Sequence, residues 1–172
     1  KASWENWLIM NEADYSNLIK LFSGYSQKDN GLKTIKDLHH SPTFNFNYLL
    51  NQKFPTGPFY RTISLDKLPE TGDVFESNYS GWFLNKRTAL GFPASPIKLV
   101  VYTNRKENLL ISFKSLGSIL LDDISKSDNL YRNILLKNHD ILEDGRDELI
   151  MTPFKSKIKS IEKQDNFYYA EV

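Results

Sequence analysis

Large apolar side chains recur in two rhythms along this chain, and the rhythm changes at Pro55-Thr56-Gly57-Pro58. Before it, Trp4, Trp7, Leu8, Tyr15, Leu18, Ile19 and Phe22 recur at roughly helical spacing. Ser3 is a fair N-cap with Glu5 and Asn6 in the first turn, and Gly24 is a plausible stop. This predicts a helix over 3–23, with shorter helices over 32–39 and 46–52. After the break, residues 59–64 alternate: Phe59, Arg61 and Ile63 point one way, and Tyr60, Thr62 and Ser64 the other. Further strands are predicted over 74–77, 80–84, 97–103, 109–113, 148–151, 157–161 and 167–172. The pair 97–103 and 109–113 reads as a hairpin, and the last two runs as another, turning at Gln164-Asp165-Asn166. Residues 65–71 form a turn-rich connector closed by Gly72. Asn85 is an N-cap candidate for a short helix over 86–92, ended near Gly91 and Pro93. Residues 116–124 are apolar but close on Asp122-Asp123, and 128–138 reads as a short helix or an excursion.

Helices first and strands afterwards make the chain α+β, a helical layer beside a mostly antiparallel sheet. The expected organisation is one domain over 1–172, with a helical part (1–54) and a β-rich part (57–172). There is no internal repeat, low-complexity segment or linker. A chain of 172 residues is long enough for a real core, and 40 % apolar with 25 % charged is the balance of an ordinary globule. Nine Tyr and eleven Phe supply rings enough to fill a core and still line a cleft.

A net charge of +1 disfavours extended nucleic-acid binding or adhesion to an anionic membrane. No cysteine is present, which excludes disulfides, Cys-based zinc sites and Cys nucleophiles, and fits a reducing, cytoplasmic setting. No metal is expected: His39-His40 are adjacent, so on a helix they do not face one ligand, and no His-Glu-x-x-His spacing exists. No apolar run reaches the roughly 18 residues of a membrane helix. No signal peptide is visible, and a start at Lys1 leaves open a longer precursor. Glycine-rich phosphate loops and the Gly-x-Ser-x-Gly elbow are missing, which argues against nucleoside triphosphate, Rossmann and serine hydrolase chemistry.

Chemistry concentrates in the stretch 143–153. Asp144-Gly145 make a charged turn, and Glu148 stands at the mouth of the apolar run Leu149-Ile150-Met151, which Pro153 stops. A carboxylate where a buried strand leaves a charged loop is partly desolvated and fixed in geometry. Arg61, on the apolar face of its strand, needs a partner: a structural carboxylate, or an anion bound in a cleft. Gly81 is a place where a backbone or a ligand can approach closely.

Taken together these residues resemble the mono-ADP-ribosyltransferases of the arginine–serine–glutamate class, especially small viral and bacterial members. Tyr60-Arg61-Thr62-Ile63-Ser64 is similar to their first-strand Tyr-Arg-Gly-Ile-Ser motif. Gly72-Asp73-Val74-Phe75 followed by residues 81–92 resembles their Gly-x-x-Phe…Phe-x-Ser-Thr-Ser…Ala-x-x-Phe segment. Arg146-Asp147-Glu148 before Leu149-Ile150-Met151 resembles their Glu-x-Glu strand. The resemblance covers about residues 57–172. It implies N-terminal helices packed on a split, mostly antiparallel sheet, with NAD as substrate and no metal. It also implies transfer of ADP-ribose to a macromolecular acceptor, a protein in the first instance, in a cytoplasmic setting that includes delivery into a host cell in the manner of a toxin. Glu148 and Arg146 take the catalytic positions. Arg61 is placed on the pyrophosphate, and Tyr60, Gly81, Trp82, Phe83 and Asn85 line the NAD site, with Trp82 and Phe83, ahead of Phe154, as stacking rings; core packing is the other reading of Trp82 and of Tyr60. Two departures stand out. The Ser-Thr-Ser slot reads Phe83-Leu84-Asn85, and Arg146 replaces the first Glu, which goes with arginine acceptors in the family; Glu143 is the nearest substitute. They favour, as the alternative, a catalytically lapsed relative that binds a protein or a nucleotide.

Overall fold

Alternation over 59–65 survives as a seven-residue strand because its neighbour matches it residue for residue. The computed structural model describes residues 35–37, 39–40, 52–126, 137, 140 and 147–172. In chain order the elements are β1 (Phe59–Leu65), β2 (Val74–Ser77), β3 (Ser80–Phe83), α1 (Lys86–Leu90), β4 (Ile97–Thr103), β5 (Leu109–Ser112), α2 (Phe113–Lys126), β6 (Glu148–Met151), β7 (Phe154–Lys157), β8 (Ser160–Lys163) and β9 (Tyr168–Glu171). The chain divides into two compact units. One holds residues 1–54 and 110–147, and the other 55–109 and 148–172. The first boundary lies near the change of rhythm at Pro55, and 110–147 falls in the same unit as 1–54.

In the β-rich unit the strand order is β6-β3-β1-β4-β9-β8. β1 and β4 pair along their whole length, from Phe59 opposite Thr103 to Leu65 opposite Ile97. β4 then pairs in parallel with β9, Leu99 against Tyr168, so the sheet is mixed though mostly antiparallel. β4 is enclosed on both faces: Leu99, Val100 and Val101 are all buried. That is why its sequence is a continuous Val/Leu run without alternation. Both of its edges are taken by β1 and β9, so the expected hairpin between 97–103 and 109–113 does not form.

A separate two-stranded sheet, β2 with β7, sits on this one. Phe75 and Phe154 from the small sheet meet Trp82 from β3 at ring-centroid distances of 6.4 and 5.9 Å. The expected strand over 157–161 is divided between the sheets. Residues up to Lys157 pair with β2, and Ser160 onward with β9. The buried Ile158 marks the changeover, its N–H donating to Asp73 O and its carbonyl accepting from Gly72 N. The predicted hairpin around 164–166 does form, as β8–β9.

In the other unit, residues 35–37 and 39–40 are helical, in keeping with the short helix expected over 32–39. The His39 and His40 rings stack at 5.0 Å. Gln52 Oε1 accepts from Ser112 N at 2.9 Å, and Ser115 Oγ from Lys53 N at 2.9 Å. The apolar run 116–124, with Phe113 from the end of the strand expected over 109–113, is the helix α2. Phe113 and Leu116, three apart, are buried on it. The expected helices over 3–23 and 46–52 (save Gln52, which is not helical) lie outside the described residues, as does 128–138 apart from Lys137.

Candidate active site

β6, β3 and β1 are consecutive in the sheet, and each carries one of the segments singled out from sequence. Phe83, the last residue of β3, is their common point. It stands opposite Glu148 on β6 and opposite Tyr60 on β1. Two strand spacings therefore separate the Glu148 and Tyr60 backbones, roughly 10 Å. Glu148 is the first residue of an otherwise apolar strand and is only 3 % exposed.

Tyr60–Phe83 is the one paired position between β1 and β3. One residue further on, where the ladder has stopped, the Arg61 side chain bridges the two strands: Nη1 donates to Gly81 O at 2.7 Å. Burial pushes the guanidinium below its ordinary pKa, while the Glu148 charge pulls it back up. The Glu148 charge thus acts on Arg61 through a poorly solvated region, where such interactions are strong. One partner that the structure gives the Arg61 side chain is the carbonyl of Gly81 on the neighbouring strand.

Asn85 ends the connection from β3 and caps α1. Its Oδ1 accepts from Arg87 N at 2.9 Å. This is the capping role read from sequence, and it gives the amide oxygen of the one polar side chain in the Phe83-Leu84-Asn85 slot to the backbone. Phe83 packs against Phe92, centroids 5.1 Å apart. Phe92 and Leu84, each 41 % exposed, leave an apolar surface at this end of β3.

Trp82 does not line a cleft. Alternation turns it to the opposite face from Phe83, where it is 0 % exposed, enclosed by Phe75 and Phe154. Its Nε1 donates to Ser80 Oγ at 2.9 Å, and Ser80 meets Ser77 Oγ at 3.0 Å, so the buried polar atoms are satisfied. Of the two readings open for Trp82, stacking ring and core residue, its burial is that of the core residue. Gly81 is buried between β1 and β6, and it is its carbonyl, meeting Arg61, that matters. Arg146 and Glu143 lie outside the described residues.

Tyr60 heads a tyrosine cluster that sequence reading did not find. Its ring lies 6.4 Å from Tyr102 and 6.5 Å from Tyr169, and those two stack at 4.4 Å. Lys86 Nζ sits 4.1 Å from the Tyr169 ring centroid. Burial raises the pKa of the Tyr169 hydroxyl, helped by Tyr60, Tyr102 and Glu162. The only sequence signal was the aromatic run at 167–169, and nothing local assigned its face.

Among the described residues no group of three His, Asp or Glu side chains is arranged to hold a metal. No helix among them is long and apolar enough to cross a membrane. No protein-family model matches the chain, and no curated protein does. Among solved structures it is similar to the ADP-ribosyltransferase Vis in complex with the M6 inhibitor, at 14 % identity and a TM-score of 0.48, covering 96 % of this chain and 74 % of that one. It is also similar to Vis in complex with agmatine (14 %, TM-score 0.44, covering 97 % and 72 %). A third likeness is to Vis toxin, an ADP-ribosyltransferase from Vibrio splendidus (15 %, TM-score 0.46, covering 97 % and 70 %). At these identities and scores none assigns a role to a residue here.

Proposed function

We propose that the chain is a mono-ADP-ribosyltransferase that cleaves NAD and passes ADP-ribose to a macromolecular acceptor, releasing nicotinamide. The observation that carries this reading is the buried Glu148 at the head of β6, two strands from the Arg61 that is tied to Gly81 O on β3. Cleavage of the nicotinamide–ribose bond develops positive charge on the ribose. A fixed, desolvated carboxylate facing that charge lowers the barrier, as in glycoside hydrolysis. Glu148 takes that role and also accepts a hydrogen bond from a ribose hydroxyl. Arg61 supplies the cation that orients the NAD pyrophosphate. The half-exposed Phe92 beside Phe83 offers the apolar contact that Trp82 cannot.

The acceptor is a protein side chain other than arginine, the choice favoured by Arg146 in the family's acceptor-selecting position. Both NAD and acceptor are met in the cytoplasm, of the producing cell or of a host.

One observation favours a second reading. Asn85 Oδ1 is taken by the cap, and the slot that carries hydroxyls in the family holds no hydroxyl here. A lapsed relative would keep NAD binding and lose cleavage.

The test is nicotinamide release from NAD by wild type and by Glu148→Gln, with and without cell lysate as acceptor. Glu148→Gln is expected to reduce release by about a hundredfold or more. Equal release by both proteins sinks the assignment of Glu148. Binding without release in the wild type selects the lapsed relative.

A further inference from the structure

We propose that Thr62, Lys86 and Lys98 are positioning residues that clamp α1 onto the sheet and thereby set the affinity for NAD; this rests on the function proposed above. α1 has five residues, far fewer than the roughly 12 an isolated helix needs to be even marginal in water. What fixes it is contact with the sheet. Thr62 Oγ1 donates to Ala89 O at 2.6 Å, and Lys98 Nζ donates to Leu90 O at 2.7 Å. Both are last-turn carbonyls; Ala89 O also accepts from Phe92 N at 3.2 Å, and a cation is favoured at that end. Thr62 and Lys98 come from adjacent strands, through the pairs Thr62–Val100 and Ser64–Lys98, so the long β1–β4 ladder delivers both donors together.

The first turn is held differently. A lysine there opposes the helix dipole, yet Lys86 turns its ammonium onto the Tyr169 ring at 4.1 Å, with Phe167 at 6.0 Å. Tyr169 is itself stacked on Tyr102. Both ends of α1 are therefore tied to the same sheet face.

The consequence reaches the site through the flanks of α1. Phe83 precedes it and Phe92 follows it, and their rings pack together. Phe83 is also the residue opposite Glu148. Loosening α1 moves this aromatic pair without altering Glu148 or Arg61, so ligand affinity suffers and the chemical step does not.

The experiment compares Lys98→Met, Lys98→Arg, Lys86→Met and Lys86→Arg by steady-state NAD cleavage and by amide hydrogen exchange at Ala89 and Gly91. Each Met variant is expected to raise KM for NAD about tenfold with kcat within about twofold. Exchange at the two amides should quicken by about the same factor, and the Arg variants should stay near wild type. A KM unchanged in the Met variants overturns the proposal even if exchange quickens, as does a loss confined to kcat. If wild type neither binds nor cleaves NAD, the function proposed above fails. Exchange then decides the clamp by itself: no change at Ala89 and Gly91 in Lys98→Met overturns it.

Discussion

Arg61 donates through Nη1 to the carbonyl oxygen of Gly81 at 2.7 Å, joining β1 to β3 just past their one paired position. The side chain thus ties two strands while its charge serves Glu148. Arg61→Lys keeps the charge but loses the planar fork that does both at once. The expected result is about 2 kcal/mol lower stability in urea unfolding, with KM for NAD raised about tenfold. Lysine performing as well as arginine in both measurements contradicts the bridging role.

Trp82 tests which face of β3 meets the ligand. Trp82→Phe removes the Nε1 donor to Ser80 and leaves a void among Phe75 and Phe154. Stability should fall by about 2 kcal/mol, while KM for NAD stays at the wild-type value. A raised KM at little cost in stability restores Trp82 to the ligand site.

Asn85 separates capping from ligand contact. Aspartate accepts from Arg87 N as asparagine does and alanine cannot, so Asn85→Ala should lose about 1 kcal/mol and Asn85→Asp almost none. The two are to be compared by thermal unfolding. Equal losses deny the cap its importance.

Gly72 has φ +95°, and an added Cβ there meets nothing within 4 Å. The cost of Gly72→Ala is therefore backbone strain alone, about 1 kcal/mol. It should appear as a lower denaturation midpoint with an unchanged slope. An unaffected midpoint removes the requirement for glycine.

Tyr169 gives the pH dependence. Its pKa is raised in the folded state, first by burial, then by Tyr60. Stability from this group is then fully present below the ordinary tyrosine value of about 10 and is lost as pH rises through the folded value. Absorbance titration at alkaline pH should show a tyrosine that stays protonated while exposed ones ionise, and Tyr169→Phe should abolish that lagging step. A lag that persists in Tyr169→Phe belongs to another tyrosine, Tyr79 first, since burial raises that one too.

Local patterns marked the pieces of the site better than their arrangement. The alternation of Phe59 to Ser64, the apolar Leu149-Ile150-Met151 run after Glu148 and the Asn85 cap all express interactions within a few residues. The strand at Phe59–Leu65, the buried strand headed by Glu148 and the Asn85 cap are all present, although burial along β1 does not strictly alternate. Strand partnership is not local. Nothing in the Val/Leu run of β4 says that β9 and not β5 takes its second edge, because a strand buried on both faces carries no register signal. Trp82 and Phe83 are likewise indistinguishable by composition. Only the packing of β2–β7 on one side decides which ring is enclosed. α2 was obscured because Asp122-Asp123 were read as the close of an apolar run, although Phe113 and Leu116 already have helical spacing.

The strand order has a kinetic side. Trp82 pairs with Leu149 and Leu99 with Tyr168, partners far apart in the chain with the whole of 110–147 between them. During synthesis β3 and β4 must wait with bare hydrogen-bonding edges, and such long-range closures are slow. The Val/Leu run of β4 is then an exposed, adhesive ribbon, so this protein should depend on chaperones while it is being made and lose yield to aggregation when they are scarce.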